Sequence, residues 1–359
     1  MGSRVEGEIL IKGHVKLADI AKASGVSQGT ASNVFSRPEV VREEVRERVL
    51  AVARELGYSG PDIKGRLLRA GRVNAIGVAT IEPLAYFFED PWARALMTEI
   101  AAVCDATGTG IALVSAQNQQ KLAWNINSAL VDGFILLCVE GGEKLVELTR
   151  RRQLPFIALA LGGGDASIPA IGIDNIAGAA TAARHLANLG HRRFAILAIG
   201  LNDDQVGAVT AVRSLKSTSR DRVLGYWQAL ADFGVSREDV PIYGTQNDRP
   251  SVDTALEALF STAKPPTAIL AMSDRIALFA MQWLAGRRLA VPGDVSVIGF
   301  DGVPEAATAA PGLTTMAQPL EEIAGRAVAA ILDETAPPPQ EALEVMLVVR
   351  GSTAPPRSD

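Results

Sequence analysis

From Val73 onward, short apolar runs alternate with stretches of helical periodicity, and this alternation is the strongest constraint on how the chain folds. The runs are Ala75–Thr80, Gly110–Ser115, Gly133–Val139, Pro155–Ala160, Phe194–Ile199, Thr267–Met272 and Val295–Phe300. Helical stretches lie between them: Ala93–Ala106, Glu143–Arg152, Ala177–Leu189, Arg222–Phe233, Val252–Ser261 and Arg275–Ala285. A strand that is apolar along its whole length is covered on both faces, and strands joined through helices run parallel. Roughly 270 residues of this pattern exceed one typical sheet domain, so the spacing predicts two doubly wound lobes. A helix over Leu320–Leu332, a Pro-rich stretch from Ala336, one strand over Glu344–Val349 and a disordered end complete the expectation.

The first 72 residues are of another kind. Residues 1–14 read as a loose extension, and Val15 to Tyr58 as three short helices. Leu17, Ile20 and Ala21 share one helical face, Ser24-Gly25-Val26 interrupts it, and Ser27 to Phe35 forms a second helix that Arg37-Pro38 ends. In the third, Glu43 to Leu56, the residues Val45, Val49, Val52 and Leu56 share a face, and Gly57 follows as a C-cap. Ser59 to Arg72 is a basic linker around Leu67 and Leu68. Residues 1–72 hold 13 Lys+Arg against 9 Asp+Glu, a formal +4; the remainder holds 22 against 31, a formal −9. A basic head on an acidic body is expected when one domain meets phosphates and the other does not.

A helix, a tight turn at Gly25 and a second helix fit a helix-turn-helix, whose second helix enters the major groove by its amino end. Leu17, Ile20, Val26, Ala31 and Val34 face the core of the head, leaving Ser27, Gln28, Gly29, Thr30, Ser32 and Asn33 for DNA. Hydroxyls suit phosphate oxygens, while Gln and Asn pair with adenine edges. The competing reading is an ordinary three-helix domain with a polar surface helix.

Several classes are disfavoured. No apolar run approaches the ~20 residues of a membrane span, and the stretch Met1 to Lys16 has no signal-type apolar core, so a cytoplasmic location is expected. Cys104 and Cys138 lie in apolar stretches and read as buried thiols in a reducing compartment. With His14, His185 and His191 they show no metal-ligand spacing, and neither a metal nor a cofactor is expected. Gly162-Gly163-Gly164 is a glycine run, but no G-x-G-x-x-G opens a helix after a strand. No Ser-x-x-Lys or G-x-S-x-G nucleophile frame is recognised, and no enzyme is expected.

The motifs resemble the LacI/GalR family of bacterial regulators. In the head they are Val15-Lys16-Leu17-Ala18-Asp19-Ile20-Ala21, Ala23-Ser24-Gly25-Val26-Ser27, Thr30-Ala31-Ser32-Asn33-Val34, Val45-Arg46-Glu47-Arg48-Val49 and Glu55-Leu56-Gly57-Tyr58. The resemblance runs over roughly residues 15–350. It implies a repressor that binds a palindromic double-stranded operator as a homodimer and answers to a small-molecule effector, a sugar or sugar derivative. By it, Gln28, Gly29 and Asn33 match base-reading positions, and Ser27, Thr30 and Ser32 match backbone-contact positions. Lys16 and Leu17, at the start of the first helix, join this DNA-binding set. Leu67 matches the hinge leucine that wedges into the minor groove; a plain linker contact is its alternative. Lys16 stands where the family places a capping Thr, and Gly29 leaves one reading position without a side chain.

Core segments carry the resemblance further, among them Ala75-Ile76-Gly77-Val78, Ile173-Asp174-Asn175, Arg222-Val223-Leu224-Gly225-Tyr226 and Val297-Ile298-Gly299-Phe300-Asp301. They imply a type I periplasmic-binding-protein-like core of two lobes joined by three crossings, near Asp174, near Gln318 and after the Leu320–Leu332 helix. Ligands in such sheets sit beyond the carboxyl ends of the strands. Arg222 and Asp301 match ligand-contact positions; a structural ion pair between them is the alternative. Asp274 follows a strand and faces the same cleft. Ile81, Leu137 and Ala160 stand where sugar-binding relatives often place polar groups, and Asn247 where some place a tryptophan. Tyr86, Phe87, Phe88 and Trp92 follow the first strand and line the mouth. The implied ligand has one polar end, at Arg222 and Asp301, and one less polar end.

The resulting fold class is an all-α helix-turn-helix head joined by a hinge to an α/β core. Its segments are an extension over 1–14, a DNA-binding domain over 15–60, a hinge over 61–72, a sensing and dimerisation core over 73–350 and a tail over 351–359. The helix Trp92–Ala106 and the stretch near Trp283 are interface candidates or plain core. No leucine heptads follow Val349, so a dimer is expected in preference to a tetramer. A solute-binding protein of a transport system shares the core fold, but it needs an export signal and leaves Val15–Tyr58 unexplained.

Overall fold

The computed structural model describes residues 15–58, 72–138, 140–160, 165–199, 206–333 and 340–357. The chain parts into two compact units between Val73 and Asn74. The expected hinge, apart from Arg72, lies outside the described residues, and Leu67 with it.

The first unit holds α1 (Leu17–Ala23), α2 (Gln28–Ser36) and α3 (Glu43–Glu55). Lysine has no acceptor with which to cap α1. The backbone N–H of Lys16 instead donates to Asp19 Oδ2 at 2.9 Å, half of a capping box. Gly25, at φ +66°, reverses the chain after α1, and the Val26 N–H returns to the Ala21 carbonyl at 3.0 Å. Ser27 caps α2, its Oγ accepting from the Thr30 N–H at 3.1 Å. Ile20, Val34, Val49 and Ala53 form a small buried core, closed by Val26, Phe35, Val45 and Tyr58.

The second unit opens with β1 (Ala75–Thr80), α4 (Tyr86–Glu89), α5 (Pro91–Thr107), β2 (Gly110–Ser115), α6 (Gln119–Ser128), β3 (Gly133–Leu137), α7 (Glu143–Arg151), β4 (Phe156–Leu159) and β5 (Ala170–Ile173). It continues with α8 (Asn175–Asn188), β6 (Phe194–Ile199), β7 (Gly207–Ala208), α9 (Ser217–Ala231), β8 (Ile242–Thr245), α10 (Arg249–Phe260), β9 (Ala268–Ala271), α11 (Asp274–Gly286), β10 (Ser296–Asp301), α12 (Pro304–Thr308) and β11 (Thr314–Ala317). The last elements are α13 (Leu320–Leu332), β12 (Gln340–Leu343) and β13 (Met346–Val348).

Two sheets result, in the orders β12-β5-β4-β3-β1-β2 and β13-β11-β10-β9-β6-β8-β7. The first is parallel throughout; in the second only the edge strands β13 and β7 run antiparallel. Each is covered on both faces by apolar layers, as strands apolar along their length require. α13 packs so close to β3 that any side chain at Gly133 would meet Ile331. The chain leaves the first sheet after β5 at Asp174, returns through α13 to pair as β12, and crosses again between Leu343 and Met346.

Two expectations change, and several elements form that the sequence reading did not anticipate. The strands β5, β7, β8, β11 and β12 are short or rich in Thr and Gly, and carry no apolar run to announce them. The polar helix α6 is held by only two buried residues, Leu122 and Ile126, behind the cap of Asn118. The expected strand over Glu344–Val349 is β13 alone, preceded by β12 in the other sheet.

The expected disordered end is, over Gly351–Arg357, an ordered strap. Ser352 is fully buried; its Oγ donates to the Val297 carbonyl at 2.6 Å and accepts from the Thr314 N–H at 2.8 Å. His191, also buried, meets Thr267 Oγ1, Ser296 Oγ and the Ala354 carbonyl at 2.9, 3.1 and 2.9 Å. His185 Nε2 lies 3.0 Å from Thr353 Oγ1.

Burial pushes both imidazoles below their usual range. Their stabilising share is therefore present above the ordinary histidine value of about 6.5, and is lost as pH falls below it and the unfolded chain takes up protons that the fold refuses. Thermal melts are expected to drop by roughly 2–4 °C or more between pH 7 and pH 5, and His191→Asn should flatten that slope. An equal slope in the variant would show that the strap does not respond to pH through His191.

Candidate functional site

In the head, the exposed face of α2 carries Gln28, Gly29 and Asn33, while Ala31 and Val34 are buried behind it. Ser27 is exposed, Thr30 and Ser32 half-buried, and the Ser27 and Thr30 hydroxyls lie 2.9 Å apart. Lys16 is exposed and Leu17 half-buried at the start of α1. An exposed polar helix start is what a groove-reading helix presents to base edges. The letters Gly25-Val26-Ser27-Gln28-Gly29 happen to spell a nucleophile frame, but they lie between two helices and Ser27 serves as a helix cap.

In the second unit, a cavity of about 150 Å³ lies where both sheets end. Its lining is drawn from strand carboxyl ends: Cys138 after β3, Leu159 and Ala160 at β4, Ile171–Ile173 in β5, Ile199 of β6, Met272 and Ser273 after β9, Asp301 of β10 and Gln318 after β11. This is where open parallel sheets hold ligands. Tyr86, Asp90, Trp92, Asn175, Thr218, Arg222, Asn247 and Ile323 complete the wall.

Backbone strain concentrates here. Cys138, Ala160, Asn247 and Asp301 have φ of +54°, +55°, +57° and +123°, and all four line the cavity. Only three further non-glycine residues share a positive φ among those described. Such conformations cost ~1–3 kcal/mol for most residues and gather at sites of function.

Arg222 is buried. Its Nε donates to Asn175 Oδ1 at 2.9 Å, its Nη1 to the Met272 carbonyl, and its guanidinium lies 3.7 Å from the Phe300 ring centroid. Asp301 Oδ1 accepts from Gln318 Nε2 at 2.8 Å. Burial holds the Asp301 carboxyl well above its usual range, against the pull of Arg222. Neither Arg222 Nη2 nor Asp301 Oδ2 has a protein partner among the described residues, so the two are not the closed ion pair that was the alternative. A donor and an acceptor left over in one buried wall suit adjacent hydroxyls of a ligand.

The remaining expected residues divide. Tyr86, Ala160 and Asn247 line the cavity with Arg222 and Asp301; Ile81, Leu137 and Asp274 do not. Leu137 is fully buried in the layer beneath, because the next residue, Cys138, turns out of the strand in its place. Ile81 packs against the outer cluster of Val114 and Leu136. Asp274 is fully buried and accepts from the Gly302 and Val303 N–H groups, both at 2.8 Å, and from Thr315 Oγ1 at 2.5 Å. Its capacity is spent on the loop that presents Asp301, and its neighbour Ser273 faces the cavity. Of the aromatic run, Phe87 is core and Phe88 is solvent-exposed. Trp283 is buried against Phe260, so it belongs to the core. Cys138, expected as a buried structural thiol, lies on the cavity wall 3.8 Å from the Tyr86 hydroxyl. Sequence reading passed over Asp90 and Thr218, which no motif marks, and took Asn175 and Gln318 as parts of family motifs without assigning them to the cavity.

A family model described as bacterial regulatory proteins, lacI family, matches residues 16–60, and one for a periplasmic binding protein-like domain matches residues 183–353. The HTH-type transcriptional regulator Rv3575c of Mycobacterium tuberculosis is 35% identical over 353 residues, covering 95% of this chain and 97% of its own length. The HTH-type transcriptional regulator IpsA of Corynebacterium glutamicum is 34% identical over 317 residues, covering 84% and 86%. Among solved structures, a LacI-family regulator from Corynebacterium glutamicum superposes with a TM-score of 0.70 at 28% identity, covering 96% of this chain and 100% of that one. A reading helix on a small α-helical head and a two-lobed binding core define a DNA-binding transcription regulator that responds to an effector. The chain belongs to the LacI family.

Asp274→Ala should lower stability by ~2–4 kcal/mol in urea titration, because it strands two buried N–H groups at the turn after Asp301. A loss below about 0.5 kcal/mol would mean that Asp274 does not anchor this turn.

Proposed function

We propose that this protein is a cytoplasmic repressor that grips a palindromic operator as a homodimer and releases or tightens that grip when a small polyhydroxylated effector fills the core cavity. Gln28 and Asn33 read base edges, Gly29 lets the backbone approach, and Ser27, Thr30, Ser32 and Lys16 fix the register on phosphates. Two-fold symmetry in the protein matches two half-sites in the DNA. An apolar groove along α11, lined by Leu278, Met281, Leu289 and Pro311, suits the partner protomer.

The observation that supports the effector reading is the four strained residues, Asp301 among them, gathered with Arg222 at the ends of both sheets. Arg222, Asn175, Asp301 and Gln318 offer one polar wall; Leu159, Ala160, Ile171 and Ile323 offer a dry one. A ring with hydroxyls on one edge and an apolar face or substituent on the other, as in a sugar derivative, meets both. An unpaired buried hydroxyl costs ~1–3 kcal/mol, so a ligand hydroxylated on every side is disfavoured. Among solved relatives, CelR is described in complex with cellobiose.

An effector shifts the equilibrium between lobe arrangements only by its differential affinity for them. Footprinting of upstream DNA with the purified protein, repeated with a panel of sugars and glycosides, tests both halves. Asn33→Ala is expected to cost ~1–3 kcal/mol of discrimination at one base pair while leaving salt-sensitive nonspecific binding nearly unchanged. Arg222→Ala is expected to abolish the metabolite response and keep the footprint. No preferred site with or without metabolites would sink the reading.

A further inference from the structure

Asp90 is the best-connected side chain on the cavity wall. Its Oδ1 caps α5, accepting from the Trp92 and Ala93 N–H groups at 3.1 and 3.0 Å. Its Oδ2 reaches across to the other lobe, accepting from Asn247 Nδ2 at 2.9 Å, with Arg275 Nη1 at 3.6 Å. Asn247 Oδ1 in turn accepts from Ser273 Oγ at 2.7 Å. Asp90 belongs to the lobe of the first sheet, and Asn247, Ser273 and Arg275 to that of the second. Other ties cross the lobes, Glu140 with Ser217 and Arg94 with Glu305, but none of those four residues lines the cavity. Asp90, Asn247 and Ser273 all do.

Trp92 starts from the same turn. Its indole packs against the apolar clusters of both lobes, and its Nε1 is buried with no partner among the described residues. A buried, unpaired N–H opposes the arrangement that buries it.

We propose that Asp90, Asn247 and Ser273 form an interlobe clasp that sets how readily the cavity opens, opposed by the unpaired indole nitrogen of Trp92. The proposal rests on the reading of the cavity as an effector site. A ligand group arriving beside Asn247 or Ser273 competes for clasp atoms, so occupancy and lobe arrangement become one event. The bonds draw the lobes together while Trp92 resists, which leaves the two arrangements close enough in free energy for a small ligand to choose between them.

Cys138 supplies the readout. Its thiol lies on the cavity wall, whereas Cys104 is buried in the first-lobe core. Burial pushes the Cys138 thiol up to about 11, which slows its reaction while the cavity is closed. The full chain, without effector, is treated with N-ethylmaleimide at pH 8, and modification of each cysteine is followed by peptide mass spectrometry. Asn247→Ala removes the central link. Asp90→Asn keeps a cap oxygen for α5 but sets an amide against the Asn247 amide. Both are expected to label Cys138 about tenfold faster, the factor that a charge-assisted hydrogen bond sets on an opening equilibrium. Asn118→Ala, which removes a helix cap that touches no other lobe, should leave the rate unchanged. A wild-type rate in Asn247→Ala overturns the proposal, as does acceleration of Cys104 in step with Cys138, which marks general loosening of the core. Because no effector is present, a wild-type rate leaves the effector reading standing, and failure to find a sugar ligand leaves the clasp standing.

Discussion

The buried carboxylate of Asp274 is the fixed point of the core. It holds the N–H groups of Gly302 and Val303 and the hydroxyl of Thr315, so three segments of the second lobe meet on two oxygens. Nothing larger than a hydrogen fits at Gly299 beside it. Because the backbone immediately after Asp301 is pinned, Asp301 is held at φ +123° and turned to the cavity. Burial pushes the Asp274 carboxyl up to about 7, against the pull of the Thr315 hydroxyl and the two N–H groups. A charged group that costs this much to bury is retained where its geometry is needed.

The plan of the fold was legible because burial on two faces leaves a plain mark. The strands Ala75–Thr80, Gly110–Ser115 and Phe194–Ile199 form over the spans that their apolar runs predict. The helix-turn-helix was legible through Gly25 and the cap at Ser27, which leave a chemical signature at one residue each. The cavity was only half legible. Periodicity places a residue on a face, but strand ends depart from periodicity. Leu137 was expected at the wall and Cys138 stands there; Asp274 was expected and Ser273 stands there. A left-handed turn at Cys or Ala has no compositional signal, since neither residue favours it. Asp90 was hidden for a different reason: an Asp before a Pro reads as a helix start, which it is, and its second oxygen finds Asn247 only in three dimensions.

On the proposed effector reading, the two walls of the cavity divide the work of recognition. Arg222 is held on the Phe300 ring and by Asn175 and Met272, so it can turn a donor to a ligand without having to be ordered first. Preorganisation of this kind lowers the cost of binding. The side chains of Leu159, Ala160, Ile171 and Ile323 offer nothing to an unmatched hydroxyl, which on that reading makes them a filter by penalty.

The strap at Gly351–Arg357 and the strands β12 and β13 have a consequence for how the protein is made. Each sheet receives an edge strand from the last stretch of the core, and β10 and β11 are closed by Ser352. During synthesis, neither lobe has its full complement of strands until residues near 350 have cleared the ribosome. The lobes cannot mature one after the other, as separate domains do. A nascent chain halted short of this point leaves β5 and β11, interior strands of the finished sheets, as open edges that invite pairing with other chains.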